Sequence, residues 1–197
     1  MLKFISKYIY LVSCLLTCIL LSCQKKDLVI ESVSVYQFKN FIIETGYITD
    51  AEKYGWSIVQ IDVYNYKIVN GANWGFPNGK DKSVANHPVT QVSYNDAIAY
   101  CKWADVKLPT YEEYWKIVAN DKRKIVFDNK FPISPTNSVN VVGNVWDITE
   151  PINYPKIRLA GGSLFCSEST CHGTQKDREL YVDPETGNYN VGFSVLK

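Results

Sequence analysis

The sequence lacks three features that would indicate particular partners: an excess of charge of one sign, a long apolar run and an internal repeat. Its formal net charge is +1, and its lysines and arginines form no block. A nucleic-acid partner requires a concentrated positive face, so we expect none. The longest apolar stretch, residues 8–22, is shorter than the roughly 20 residues that a membrane-spanning helix takes. What is present, 46% hydrophobic and 14% aromatic residues, is the composition of a folded globular domain.

The N-terminus has the pattern of a lipoprotein signal. Two lysines precede the apolar stretch, which ends in Leu-Leu-Ser directly before Cys23. We predict that residues 1–22 are a signal peptide, that Cys23 carries the lipid and that residues 23–32 are a tether. The protein would then be lipid-anchored to a membrane of the bacterial cell envelope, and the lack of an acidic residue directly after Cys23 favours a periplasm-facing position. The alternative is an uncleaved N-terminal anchor.

Cysteine usage gives a second constraint. Of the six cysteines encoded, three remain beyond the predicted lipid site: Cys101, Cys166 and Cys171. An odd number in an oxidising compartment means that not every thiol is paired within the molecule. Cys101 lies on the apolar face of a predicted helix, so we expect it to be buried and inert.

Periodicity and turn signals predict one α+β domain over residues 33–197, with few helices and many irregular strands. Capping-box sequences begin two helices, one after Ser93 and one at Thr110. The predicted elements, in chain order, are a helix over residues 35–44, a strand within 56–69, a loop over 70–79, a helix from 93, a helix from 110 to about 119, and short apolar pieces at 124–127, 139–148, 157–164 and 189–196.

Seven motifs then occur in a recognisable order. They are TGYITDAEKYGWS (residues 45–57), GANW (71–74), HPV with VSYNDA and YCKWA (87–104), LPTYEEYW (108–115), NVVGNVWD (140–147), GGSLFCSESTC (161–171) and NVGF (190–193). Together they resemble the sulfatase-modifying factor family, and in particular its formylglycine-generating branch. The resemblance extends over roughly residues 31–197.

That resemblance implies the formylglycine-generating-enzyme fold, a compact mixed fold within the C-type-lectin-like superfamily that is low in regular secondary structure. It also implies a copper-dependent oxidase. The reaction converts a cysteine in a Cys-x-Pro-x-Arg segment, in a peptide or unfolded sulfatase, to Cα-formylglycine with O2. Cys166 and Cys171 match the Cu(I) ligands, and Ser163 and Trp146 match positions beside the substrate thiol and oxygen. Two thiolates suit a soft monovalent ion. A structural disulfide between the two cysteines is the alternative.

The same resemblance implies a structural calcium site at Asn140, Gly143, Val145 and Asp147. A side-chain amide oxygen, backbone carbonyls and a carboxylate are the hard oxygen ligands that Ca²⁺ prefers. A tight polar turn is the alternative interpretation.

The chain departs from the family where the family has arginines. Ala160, Gln175, Glu179 and Ser194 occupy those positions, and none of these side chains reproduces the bidentate contacts of a guanidinium. A second hypothesis is therefore a non-catalytic envelope lipoprotein that uses the fold as a binding or structural module. The iron-dependent sulfoxide synthases of the same fold need a histidine-rich site, which a chain with two histidines does not supply.

Overall fold

The structure is a computed structural model that describes residues 28–118, 142–166 and 179–197. Within these ranges, short strands alternate with short helices. The elements are β1 (Ile30–Ser32), α1 (Val35–Thr45), α2 (Asp50–Tyr54), β2 (Trp56–Gln60), β3 (Tyr66–Asn70), α3 (Tyr94–Ala104), α4 (Tyr111–Val118), β4 (Trp146–Ile148), β5 (Ile157–Ala160), β6 (Tyr181–Val182) and β7 (Val191–Leu196).

A mixed five-stranded sheet organises the molecule, with the strand order β1-β7-β4-β5-β6. β4 and β7 run parallel, and the other neighbouring strands run antiparallel. Every residue of β7 is buried, as expected for a strand that has neighbours on both edges and is covered on both faces. β2 and β3 form a separate antiparallel hairpin.

Helix α1 confirms the prediction from apolar spacing. The Ser34 hydroxyl and the Gln37 side chain form the capping box, and Gly46 ends the helix in the left-handed conformation at φ 66°. The buried face of α1 presents Phe38 and Phe41. Phe38 packs edge-on to Phe193 of β7, with ring centroids 6.3 Å apart, so that α1 covers one face of the sheet.

Helices α2 and α3 meet at their N-termini, where hydrogen bonds join the first turns of the two helices. Asp96, in the first turn of α3, accepts the backbone N–H of Asp50 at 3.1 Å. Asp50, the first residue of α2, accepts the Ser93 hydroxyl at 2.7 Å and the Asn95 amide at 3.1 Å. Carboxylates at helix N-termini are stabilised by the free N–H groups there. These hydrogen bonds therefore connect the GYITDAE motif to the VSYNDA motif.

The structure corrects the tether boundary. Residues 30–32 belong to β1, which pairs with β7 from Ile30↔Leu196 to Ser32↔Ser194. Ile30 is buried, because its side chain contributes to the cluster beneath α4. The tether prediction is therefore wrong for these three residues.

The remaining predicted elements are confirmed where the structure describes them. Residues 56–69, predicted to contain one strand, include β2 and most of β3, and the helices from Ser93 and Thr110 are α3 and α4. Helix α2 was not predicted, although its Thr49–Glu52 capping box is visible in the sequence. The apolar piece at residues 124–127 and the first three residues of the piece at 139–148 lie outside the described residues.

Candidate active site

The loop that leaves β5 presents Ser163. Gly161 and Gly162 precede it with φ angles of 89° and 85°, a backbone region that L side chains rarely adopt. A Cβ atom on Gly161 would also collide with the hydroxyl of Tyr114. The two glycines of the GGS motif are thus required by conformation and, at Gly161, by space.

Ser163 and Cys166 are joined in one turn by two hydrogen bonds. The Cys166 N–H donates to the Ser163 carbonyl at 2.8 Å, and the Ser163 N–H donates to Cys166 Sγ at 3.3 Å. Both residues are buried. The backbone therefore holds the sulfur next to the serine that the sequence predicted to lie beside the substrate thiol.

The Ser163 side chain is held by a residue that sequence reasoning did not assign. Asn190 Nδ2 donates to Ser163 Oγ at 2.8 Å and to Gln60 Oε1 at 2.6 Å. All three side chains are buried. Asn190 belongs to the quoted NVGF motif, but no sequence signal indicated a role for its amide. Gln60 is separated from Asn190 by 130 residues, so that only the fold brings them together.

Trp146 lies next to the same residues through the backbone. Its N–H donates to the Asn190 carbonyl at 2.8 Å, and it pairs with Val191 across the parallel β4–β7 ladder. Its side chain is buried in the cluster that also contains Cys166. The structure thus brings Ser163, Cys166 and Trp146 together around Asn190.

The predicted copper site is only partly described. Cys166 is a buried thiol held by a backbone donor, and soft sulfur fits a Cu(I) ligand chemically. Cys171 and Gln175 lie outside the described residues, so the copper site and the alternative disulfide both stay predictions.

The predicted calcium positions fall in and just before β4. Gly143 and Val145 are buried, and Asn140 lies outside the described residues. Asp147 is fully buried; its carboxylate accepts the Ser194 hydroxyl at 2.6 Å and the Tyr114 hydroxyl at 3.2 Å.

Burial raises the pKa of Asp147 to about 7, against the opposing effect of the two hydroxyl donors. A divalent cation would stabilise such a carboxylate, and the hard oxygens present suit Ca²⁺. The residues fit the ion chemically, and the calcium site stays a prediction.

Two of the residues that stand where the resemblance implies arginine lie beside Asp147. Ala160 is its Cα partner across the β4–β5 ladder, and Ser194 donates the hydrogen bond to its carboxylate. Glu179, at a third such position, is exposed. Asp147 itself stands where the resemblance implies a glutamate, so the departures at positions 147, 160 and 194 form one cluster. In this cluster two small side chains accompany a carboxylate that is one carbon shorter than the family's glutamate.

Cys101 is confirmed as a buried residue of the main core. Burial, followed by the charge of Glu150, raises the pKa of its thiol to about 12. The thiol therefore stays protonated at neutral pH, a state that is neither nucleophilic nor metal-binding.

The sheet order and the Ser163–Cys166 turn define a protein with the formylglycine-generating-enzyme fold. The structure of PvdO from Pseudomonas aeruginosa shares this fold: it superimposes with a TM-score of 0.59 at 14% identity, over 86% of this chain and 79% of that one. The α+β prediction is confirmed. No helix in the described ranges is both long and apolar enough to span a membrane.

Comparisons of sequence identify the family. Residues 24–130 match the sulfatase-modifying factor enzyme 1-like domain. The chain is 30% identical to the formylglycine-generating enzyme of Mus musculus over 82% of its own length and 63% of the mouse protein. It is 28% identical to a Bos taurus protein named inactive C-alpha-formylglycine-generating enzyme 2, over 79% of its own length and 71% of that protein. This chain belongs to the sulfatase-modifying factor family.

Proposed function

We propose that this protein oxidises a peptidyl cysteine, in a sulfatase-type Cys-x-Pro-x-Arg segment, to Cα-formylglycine, with Cu(I) held by Cys166 and Cys171. The observation that supports this most directly is the turn that holds Cys166 Sγ against the Ser163 N–H at 3.3 Å. It keeps a soft ligand and the substrate-side serine of the family motif in one rigid unit. The relatives named formylglycine-generating enzyme provide the reaction class.

When bound, the copper ion would supply the activation of O2. The protein's own residues would arrange the reactants around it. The Cys166 sulfur is one ligand, and the buried position of Cys166 and Ser163 keeps water away from the reacting sulfur. On this proposal, the Ser163 hydroxyl would contact the incoming thiol.

The overall change is balanced by a reductant. The CH₂–SH group of the substrate, O2, two electrons and two protons give CHO, H₂S and H₂O. A small-molecule thiol is a suitable source of the electrons and protons. The substrate Cβ is oxidised and loses its bond to sulfur, and both oxygen atoms are reduced.

Copper binding is the first test. Residues 24–197 would be reduced and titrated with Cu(I) against a competing chelator. We expect one-to-one binding that is lost in both Cys166→Ala and Cys171→Ala. Cys101→Ala is the matched control, since it removes a buried thiol of the core outside the site. Binding that survives either ligand substitution would contradict the oxidase proposal. Binding as proposed would be followed by an aldehyde assay on Cys-x-Pro-x-Arg peptides.

A second candidate function is a non-catalytic envelope module. The replacement of arginines by Ala160 and Ser194, together with a relative named inactive, favours it. It predicts no aldehyde formation from any cysteine peptide while the fold and the affinity for a protein partner are retained. Wild-type activity that is abolished by Cys166→Ala would exclude it.

We also propose that the chain is anchored through Cys23 in the cell envelope, facing the periplasm. The Leu-Leu-Ser-Cys sequence at the end of the apolar stretch supports this. Metabolic labelling with an alkyne fatty acid is expected to tag the wild-type protein and not Cys23→Ala. Labelling of both variants, or of neither, would contradict the anchor.

A further inference from the structure

The side-chain amide of Asn190 has its orientation fixed by Gln60. Gln60 Nε2 donates to the carbonyls of Asp62 at 2.8 Å and Val63 at 3.4 Å. Carbonyl oxygens only accept, so Gln60 must turn its nitrogen towards them and its Oε1 towards Asn190. Oε1 also only accepts, and the atom of Asn190 that faces it at 2.6 Å is therefore the nitrogen Nδ2.

This orientation determines the role of the Ser163 hydroxyl. Nδ2 has two protons and no acceptor capacity. One proton goes to Gln60 and the other to Ser163 Oγ at 2.8 Å, so that the hydroxyl oxygen is the acceptor in this bond. The Phe165 N–H approaches the same oxygen at 3.4 Å. The hydroxyl's own proton takes part in neither bond and is available to a group outside this relay.

The burial of the relay indicates that hydrogen bonding, and not apolar packing alone, accounts for an amide at position 190. The Asn190 side chain is 1% exposed, and its Oδ1 has no hydrogen-bond partner among the described residues. An unsatisfied buried acceptor destabilises a fold, whereas an apolar side chain of similar shape would not. The two donors of Nδ2 give a reason for an amide at this position.

We propose that Asn190, oriented by Gln60, is a positioning residue that commits the Ser163 hydroxyl to donate its hydrogen bond to the sulfur of the substrate cysteine. This hydrogen bond stabilises negative charge on that sulfur as it becomes a thiolate. This inference rests on the proposed function for its substrate, and on geometry alone for the relay.

The test reverses the hydrogen bond. In Asn190→Asp a carboxylate oxygen replaces Nδ2, and the Ser163 hydroxyl must donate to it, which withdraws the proton from the substrate. We expect kcat/KM for a Cys-x-Pro-x-Arg peptide to fall about 10-fold in Asn190→Asp and in Ser163→Ala, as for the loss of one hydrogen bond in a buried site. Because both act through one proton, the double variant is expected to be no slower than Ser163→Ala. If the losses of kcat/KM in the two single variants multiply in the double variant, the proposal is overturned.

Two further variants keep the test decisive. Gln60→Leu leaves Asn190 and Ser163 in place but removes the acceptor that orients the amide. We expect a smaller loss of kcat/KM, which also disappears in the Ser163→Ala background. This variant replaces Asn190→Asp if the latter does not fold. Asn153→Asp, an exposed amide-to-carboxylate change, is the control for the added charge and is expected to have no effect.

A measurement independent of activity separates this inference from the proposed function. In a ¹⁵N-labelled sample, the Asn190 side-chain protons are assigned by their loss in Asn190→Asp. We expect slow exchange with solvent and a shift of one proton in Ser163→Ala. Fast exchange, or no shift, overturns the relay whatever the activity. If the wild type oxidises no peptide, the proposed function fails, and the spectrum alone decides whether Asn190 fixes the Ser163 hydroxyl.

Discussion

Ser194 Oγ donates a 2.6 Å hydrogen bond to Asp147 Oδ1 in the middle of the sheet. The resemblance to the family implies an arginine at position 194 and a glutamate at position 147, so the two departures meet in one contact. Ala160, a third departure, is the neighbour of Asp147 across the β4–β5 ladder. The missing arginines at 160 and 194 therefore belong to a local change around one buried carboxylate. The Ser163–Cys166 turn keeps its own hydrogen bonds, separate from this cluster.

The contact gives a stability prediction. Ser194→Ala leaves Asp147 with one hydroxyl donor instead of two, and we expect the free energy of unfolding to fall by about 1–3 kcal/mol. Urea unfolding measures this change. Ser32→Ala is the control, because Ser32 contacts the Ser194 hydroxyl at 3.1 Å but does not contact the carboxylate. A fall in Ser32→Ala as large as in Ser194→Ala would contradict the assigned role of Ser194.

Calcium binding at Asp147 is tested by thermal unfolding. If Asn140, Gly143, Val145 and Asp147 bind Ca²⁺, the ion at 100 times its dissociation constant stabilises the fold by about 2.7 kcal/mol. For a chain of this size the midpoint of unfolding would rise by roughly 5–10 °C. Asp147→Asn, which keeps an acceptor for the hydroxyl donors but removes the charge, is expected to show no rise. Equal midpoints with calcium and with a chelator in the wild type would contradict the site.

Gly161→Ala is expected to damage the site through the backbone. The residue has φ 89°, and a Cβ would collide with the Tyr114 hydroxyl. Strain of about 1–2 kcal/mol from the backbone adds to about 1–3 kcal/mol from overpacking. We also expect weaker Cu(I) binding, because Ser163 and Cys166 follow in the same loop.

Gly71→Ala is the matched control for that substitution. Gly71 has φ 76°, but a Cβ atom at this position would meet no other atom within 4 Å, so that only the backbone strain applies. If the two variants lose equal stability, the contact with Tyr114 is not what requires glycine at position 161.

The hydrogen bonds between the first turns of α2 and α3 predict a pH dependence. Burial, and then the charge of Asp50, raise the pKa of Asp96 to about 6. A carboxyl with a raised folded-state pKa binds its proton more tightly in the folded state. Its contribution to the free energy of unfolding is therefore complete below about pH 4 and is lost as the pH rises through 6. The shift corresponds to about 3 kcal/mol at most. The groups that face Asp96 are Asp50, Ser93 and Tyr47.

Asp50 acts in the opposite direction and at lower pH. Its pKa is lowered: burial raises it, but the hydrogen bonds from Ser93, Lys53 and Asn95 outweigh that effect. The contribution of Asp50 to the free energy of unfolding is therefore lost only as the pH falls below the ordinary pKa of an aspartate. Asp96→Asn is expected to flatten the stability curve between about pH 4 and 6, as measured by urea unfolding at several pH values. A curve that keeps the wild-type slope in this window would contradict the assignment to Asp96.

Local sequence signals predicted much of the fold. The capping boxes at Ser93 and Thr110 and the glycine at position 46 mark the ends of helices, because the atoms that satisfy a helix end lie within a few residues of it. Alternation located the β2–β3 segment. The same local logic failed for residues 30–32, since a three-residue strand has too few residues to show a period, and β1 exists only because β7 accepts it as a partner.

By itself, the sequence determined the family, the order of the main elements and the serine and cysteine of the candidate site, since these are encoded in motifs of neighbouring residues. Only the tertiary structure decided which distant groups act on them. Asn190 and Ser163 are 27 residues apart, and Gln60 and Asn190 are 130 apart. The departures at 147, 160 and 194 likewise become one cluster only when β5, β4 and β7 lie side by side. Such contacts depend on strand order and register, which are set by the packing of the whole core and not by any local stretch of chain.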